Sequence, residues 1–381
     1  MDAQERAAAA HAAGGAVARV TRAVAGTHAA VTERTRAGLT PLGDLGRVPL
    51  ELSALVARAN YLAVEATARG AAAIAAPALA ATTSPQAGPA ASDRSAVPWL
   101  AALGAAFGDH LVADERVRAL AVPMSLRHEG GVVDIAVQAV SGSGVPVRPT
   151  AVVFVHGLGN HESVWGRTYL ELAADLGATP LTVRYTTGQA IADSGAELAG
   201  LLDELTARWP VALDRIVLVG HSMGGLVIRE ALTAPGPWRP RVTDVITLGT
   251  PHAGAPLERV AVRALALAGS LPTVAPLVAL GDERSRGIKD LGLADVAPAT
   301  PGPRWHLVAG TLGEPGAEGL ARRARAGIRE RLGDGLVTLD SAHGIADELV
   351  ASRVVIDDAG HMALLDHPEA AEVLRATLAA G

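Results

Sequence analysis

Ser222 lies at the centre of Gly220-His221-Ser222-Met223-Gly224. The unbroken apolar run Arg215-Ile216-Val217-Leu218-Val219 precedes it, and Gly225-Leu226-Val227-Ile228-Arg229-Glu230-Ala231-Leu232 follows. The run reads as a buried parallel strand and the residues after it as a helix. A sharp turn between the two forces its central residue into a strained backbone conformation, and side chains two places before or after would collide with their neighbours. Glycine at both places removes them. The turn stands the serine oxygen clear of the sheet and points the N-terminus of the next helix at any oxyanion formed there. A chain with this unit is built on a parallel sheet.

The rest of the C-terminal two thirds agrees. From residue 130, strands alternate with helices. Val132–Val137 alternates like an edge strand, and Ala151-Val152-Val153-Phe154-Val155 is fully apolar. Helix 163–176, strand 180–185, helix 190–208, strand 215–219, helix 223–234 and strand 242–248 follow. Strands at 305–309 and 353–356 and a closing helix near 363–379 complete the series. Repeated βα units of this length imply an α/β fold, a mostly parallel sheet with helices on both faces. The alternation stops between Pro251 and about Thr300, which places a cap insertion over the site at about 252–300. Residues 1–125 differ: Ala-rich helical patterns fill 2–36, 48–80 and 97–121, broken by a linker at 81–98. They read as a helical N-terminal extension, packed on the catalytic domain at 126–381 or serving as an oligomerisation arm.

Composition narrows the function classes. Hydrophobic residues make up 49% and charged residues 19%, enough to bury a large core. A net charge of −6 argues against nucleic acid as a partner. The chain has no cysteine, so thiol nucleophiles, disulfides and thiolate metal sites are excluded. The N-terminus has no basic segment leading into an apolar one, and no stretch has the length and apolarity of a membrane span, so a cytoplasmic protein without an integral membrane segment is expected.

A serine alcohol needs a base within hydrogen-bond reach and an acid to orient that base. His361, in Asp357-Asp358-Ala359-Gly360-His361, falls just after the last strand and before the last helix. Asp334, in Gly333-Asp334-Gly335-Leu336-Val337, precedes it, with Asp340 as the rival acid. Two backbone N–H donors are then needed for the oxyanion. Met223, after the nucleophile, supplies one. The other falls to Leu158 in His156-Gly157-Leu158-Gly159-Asn160, where Gly157 lets the main chain approach substrate and His156 reads as a loop-stabilising side chain. Trp165 either walls the pocket or packs beneath a helix, and Arg322-Arg323-Ala324-Arg325 reads as a solvated helix face.

These motifs, together with Gly249-Thr250-Pro251-His252-Ala253-Gly254, resemble the lipases and esterases of the α/β-hydrolase superfamily. The resemblance covers about 130–381 and is nearest to bacterial proteins similar to the α/β domain of GPI inositol-deacylase. It implies that Thr250, His252 and Leu257 line the acyl pocket. It also marks Arg184-Tyr185-Thr186-Thr187-Gly188 as a loop of that group. The implied reaction is hydrolysis of an apolar carboxylic ester through an acyl-enzyme, with neither metal nor organic cofactor. Acyl transfer by the same triad and a non-catalytic binding protein on this fold are the rivals.

Overall fold

The computed structural model describes residues 1–39, 44–81, 96–133, 135, 145–255, 285–293, 296–312 and 333–380. The chain divides into two compact units. One comprises Met1–Leu100, His110–Ala121 and Ala268–Arg284, and the other Ala101–Asp109, Val122–Leu267 and Ser285–Gly381.

The first unit is dominated by two long helices packed along one another, α1 (Ala3–Leu39) and α2 (Asp44–Ala81). Small residues set their approach: a Cβ on Gly14 would lie 2.5 Å from the Ala72 Cβ and 2.8 Å from the Ala68 carbonyl oxygen. Helix α3 (Val97–Ala113) starts with proline in its first turn and is kinked at Phe107 (φ −136°, ψ 15°). It stops well short of residue 121; a separate 3-10 turn covers Arg118–Leu120.

The second unit is built on eight strands: β1 (Ser125–His128), β2 (Gly131–Val132), β3 (Thr150–Val155), β4 (Thr179–Arg184), β5 (Arg215–His221), β6 (Val242–Leu248), β7 (Arg304–Gly310) and β8 (Val350–Ile356). Their order in the sheet is β2-β1-β4-β3-β5-β6-β7-β8. Pairing from β4 across to β8 is parallel throughout, while β1 runs antiparallel to β4 and β2. β1 escapes sequence reading because it has four residues of mixed polarity, and β2 holds only the start of the expected Val132–Val137 strand. Asp134 and residues 136–144 lie outside the described residues.

The central strands are buried on both faces, which is why β3 and β5 read as nearly continuous apolar runs. Over one face, α4 (Arg167–Asp175) and α9 (Pro368–Ala379) pack on each other. There Val152, Phe154, Val217, Val219, Ile246, Leu248, Val308 and Ile356 form one core with Trp165, Tyr169 and Leu374. α5 (Ile191–Arg208) and α6 (Met223–Ala231) pack together as a second pair, and α6 lies against β3, β5 and β6. The expected helix at 163–176 begins only at Arg167, after a 3-10 turn at Glu162–Val164. The closing helix is likewise split: a 3-10 turn covers Ala363–Asp366, then His367 caps α9 and Pro368 opens it. Of the expected cap, residues 256–284 and 294–295 lie outside the described residues, as does the arginine run at 322–325. What is described there is α7 (Arg286–Leu293). One further short helix, α8 (Leu339–Ala342), precedes β8.

At the end of the sheet opposite the carboxyl edge, a buried carboxylate ties three strands together. Asp244 of β6 accepts from Arg215 of β5 at 2.8 Å and from Arg304 of β7 at 2.8 Å. His306 of β7, at 3.1 Å, and Thr243, at 2.7 Å, complete the set. Burial works to raise the Asp244 carboxyl, but its four hydrogen-bond partners hold it well below the ordinary carboxylate value.

Candidate active site

The turn from β5 into α6 has the geometry its glycines foretell. Ser222 adopts φ 55° and ψ −126°, a conformation that costs a non-glycine residue roughly 1–3 kcal/mol and has to be held by its surroundings. A Cβ on Gly220 would stand 2.6 Å from Gly225 Cα, and one on Gly224 would run into the Val155 carbonyl oxygen. The Ser222 amide donates to the Leu248 carbonyl at 2.9 Å, fastening the turn to the end of β6.

The next residue along β6 carries the chain to the acid and the imidazole. Gly249 has φ 55°, and a Cβ there would lie 2.7 Å from Asp334 Oδ2 and 3.1 Å from His361 Nδ1. His361 Nδ1 is 2.7 Å from Asp334 Oδ2, and both side chains are almost fully buried. Since the carboxylate accepts, Nδ1 carries the proton of this hydrogen bond. Among the described residues Nε2 has no hydrogen-bond partner, although it is buried. Nor does a hydrogen bond join Ser222 Oγ to it.

Asp334 is fixed by its own loop. Gly333 (φ 52°) and Gly335 (φ 95°) bend the chain so that the amides of Leu336 and Val337 donate to Oδ1 at 3.0 and 2.9 Å. The His361 amide donates to the Asp334 carbonyl at 3.0 Å, so both main chains and both side chains are paired. Asp340, the rival acid, is exposed on α8.

The loop after β3 comes up against the serine. A Cβ on Gly157 would lie 2.8 Å from Ser222 Cβ and 3.3 Å from Ser222 Oγ, so glycine is needed for this approach. Leu158 and Met223 are buried beside it. Among the described residues neither amide has a hydrogen-bond partner, and Met223, first residue of α6, has none available within the helix. His156 is fully buried, its Nδ1 donating to the Gly157 carbonyl at 3.0 Å, and burial pushes its imidazole down to about 4.

Two residues expected near the pocket have protein partners of their own. His252 is held between partners: Arg229 Nη1 donates to Nδ1 at 3.3 Å, and Nε2 donates to Thr247 Oγ1 at 3.2 Å. Its ring also meets the edge of Trp305. Burial, reinforced by Arg229, holds it neutral, and it anchors the loop after β6 with no ring nitrogen left for substrate. Trp165 packs in the core between Phe154 and Tyr169, at centroid distances of 5.0 and 5.9 Å, because helix α4 covers it. Thr250 is buried against Gly225, and Leu257 lies outside the described residues.

One residue inside the serine motif carries more than its letter suggested. His221 Nε2 donates to the His361 carbonyl at 3.0 Å, and the two rings lie 4.7 Å apart. Nothing short of knowing that the two loops meet could have assigned this. A cavity of about 470 Å³ lies away from all of this, between β7, β8 and α9, lined by Arg304, His306, Val354 and Glu372 among others. The described residues contain no cluster of three or more His, Cys, Asp or Glu able to hold a metal, and no helix long and apolar enough to cross a membrane.

The model of the alpha/beta hydrolase family matches residues 152–372, from β3 into α9, more than half of the chain. The chain belongs to that family. The matched stretch runs through the parallel strands from β3 to β8 and contains the serine turn. A GPI inositol-deacylase of Emericella nidulans is 48% identical over 43 residues, 11% of this chain and 4% of that protein, so the match spans a small fraction of the curated relative. Among solved structures, the mature Bacillus licheniformis lipase BlEst2 is similar over 61% of this chain and 93% of its own, at 22% identity and a TM-score of 0.43. The Pyrococcus furiosus esterase Pf2001 matches over 61% and 82%, at 17% identity and a TM-score of 0.40.

Proposed function

We propose that the hydrolase cleaves carboxylic esters with Ser222 as nucleophile, His361 as general base and Asp334 as the acid that orients it. One observation carries the reading: a buried imidazole whose Nδ1 is pinned by Asp334, whose Nε2 has no partner among the described residues, and whose ring lies 4.7 Å from that of His221, the residue before the strained serine. Ser222 Oγ attacks the ester carbonyl carbon as His361 Nε2 takes its proton. Catalytic hydrogen bonds are commonly long without substrate, and this contact closes when the ester is bound. The Leu158 and Met223 amides, free of other partners, hold the oxyanion of the tetrahedral intermediate. His361 then returns the proton to the departing alcohol, leaving an acyl-enzyme. Water activated by the same nitrogen releases the acid. Asp334 stabilises the imidazolium. The buried side chains of Leu158 and Met223 favour an apolar acyl group.

The test is turnover of a p-nitrophenyl ester series from acetate to palmitate by wild type and by Ser222→Ala. Wild-type hydrolysis that is abolished in the variant is expected. Hydrolysis that survives the substitution places the nucleophile elsewhere.

A further inference from the structure

We propose that Arg184, Tyr185 and Thr187, at and just beyond the end of β4, are positioning residues that hold the oxyanion loop in register with Ser222. This rests on the ester-hydrolase reading and adds the residues that set its oxyanion hole.

The loop from His156 to Gly166 has little regular structure of its own, a single 3-10 turn at Glu162–Val164. Its geometry is imposed from outside, at three points and by one neighbouring segment. Tyr185 Oη donates to the His156 carbonyl at 2.7 Å, and its ring stacks on the His156 imidazole at 4.7 Å and 27°. Thr187 Oγ1 accepts from the Gly159 amide at 3.0 Å. Arg184 Nε donates to Glu162 Oε2 at 2.6 Å, and its Nη2 pairs with Oε1, a bidentate pair with both side chains buried. Burial works to raise the Glu162 carboxyl, and the guanidinium more than offsets it, so the carboxylate stays charged.

These contacts bracket Leu158. On one side the carbonyl of His156 is held, and on the other the amide of Gly159 is taken by Thr187. Between them the Leu158 amide has no partner among the described residues. The turn of chain from 157 to 160 is closed by the Asn160 amide on the Gly157 carbonyl at 3.2 Å.

The clamp is itself braced. Thr186 Oγ1 accepts from the Val122 amide at 2.7 Å and donates to the Val122 carbonyl at 3.1 Å. The backbone of Gly188 lies so close to residues 104–108 of α3 that a Cβ on Gly108 would stand 2.7 Å from Gly188 Cα. A displaced donor of about 1 Å is enough to lower a catalytic rate by roughly a hundredfold, so a braced clamp has kinetic consequences.

The experiment uses the full chain with Tyr185→Phe, Thr187→Val and Thr187→Ser. Ester turnover is expressed per site titrated with a fluorophosphonate, which removes misfolded molecules from the count. The clamp predicts kcat lower by about tenfold in Tyr185→Phe and Thr187→Val, with KM within about twofold. The pH profile should keep its shape, and Thr187→Ser, which retains the accepting oxygen, should recover most of the rate. Equal kcat per titrated site in all variants, or a serine variant as slow as the valine one, overturns it. Amide hydrogen exchange over 156–164 reads the same loop without turnover, and it should quicken in the phenylalanine and valine variants alone. Unchanged exchange overturns the clamp whatever the rates. Quickened exchange in a protein that hydrolyses no ester supports the clamp and removes the ester reading instead.

Discussion

Ser222, Asp334 and His361, the proposed triad, each have a glycine within two residues, and for that reason these positions could be singled out without coordinates. Gly157 is the sharpest probe among them. With a Cβ 2.8 Å from that of Ser222, Gly157→Ala should lower kcat by roughly a hundredfold, measured against a p-nitrophenyl ester. Asp334→Asn should lower it by about 10⁴-fold, because an amide in that place no longer selects the Nδ1–H imidazole. A loss below about tenfold in the asparagine variant would make Asp340 or another acid the partner. His252 shows the opposite limit: a histidine beside the site in sequence turned out to be bound to Arg229 and Thr247, and only the fold brings those partners to it. His156 makes a thermodynamic prediction. Its imidazole is pushed from the ordinary 6.5 down to about 4 by burial, so at intermediate pH the unfolded chain binds a proton that the folded chain refuses. The stability it contributes is therefore complete above about pH 6.5 and is lost as pH falls through about 4, to the extent of roughly 3 kcal/mol. Urea midpoints at pH 7 and pH 5 should fall further apart in wild type than in His156→Asn, and equal acid sensitivity would contradict this.

Elements were legible in proportion to their burial. β3, β5 and β6 are buried almost throughout and stand within two residues of where periodicity puts them, whereas β1 is short and polar enough to look like a loop. Helix ends were less readable. Pro368 opens α9 and splits the closing helix from the turn before it, a boundary that the His367-Pro368 pair signals only once its register is known. Among the strands, the Asp244 cluster has no motif, because Arg215, Arg304 and His306 come from two other strands. Asp244→Ala should destabilise the fold by about 3–5 kcal/mol, since Arg215 would be left nearly buried without its carboxylate. Equilibrium urea unfolding checks this, and a loss under about 1 kcal/mol would show that water and the Thr377 carbonyl satisfy Arg215 unaided.

Across the molecule, the family match begins at residue 152, yet residues 101–109 belong to the same compact unit as the site. The reason is local: Ala105 O accepts from Ser285 Oγ at 2.6 Å, and Gly104 and Gly108 lie on Thr186 and Gly188. Composition changes near residue 125 and so hides this, because an alanine-rich helix looks the same whichever body it serves. A chain of residues 97–381 should therefore retain ester turnover, while one of residues 114–381 should lose it together with its cooperative unfolding transition. Equal turnover of the two would show that α3 adds nothing to the site. The account as a whole stands on one reactive oxygen, and it can be read by mass. Wild type treated with a fluorophosphonate should gain one adduct, mapping to Ser222 and disappearing in His361→Ala. No adduct, or one on another residue, would contradict the assignment.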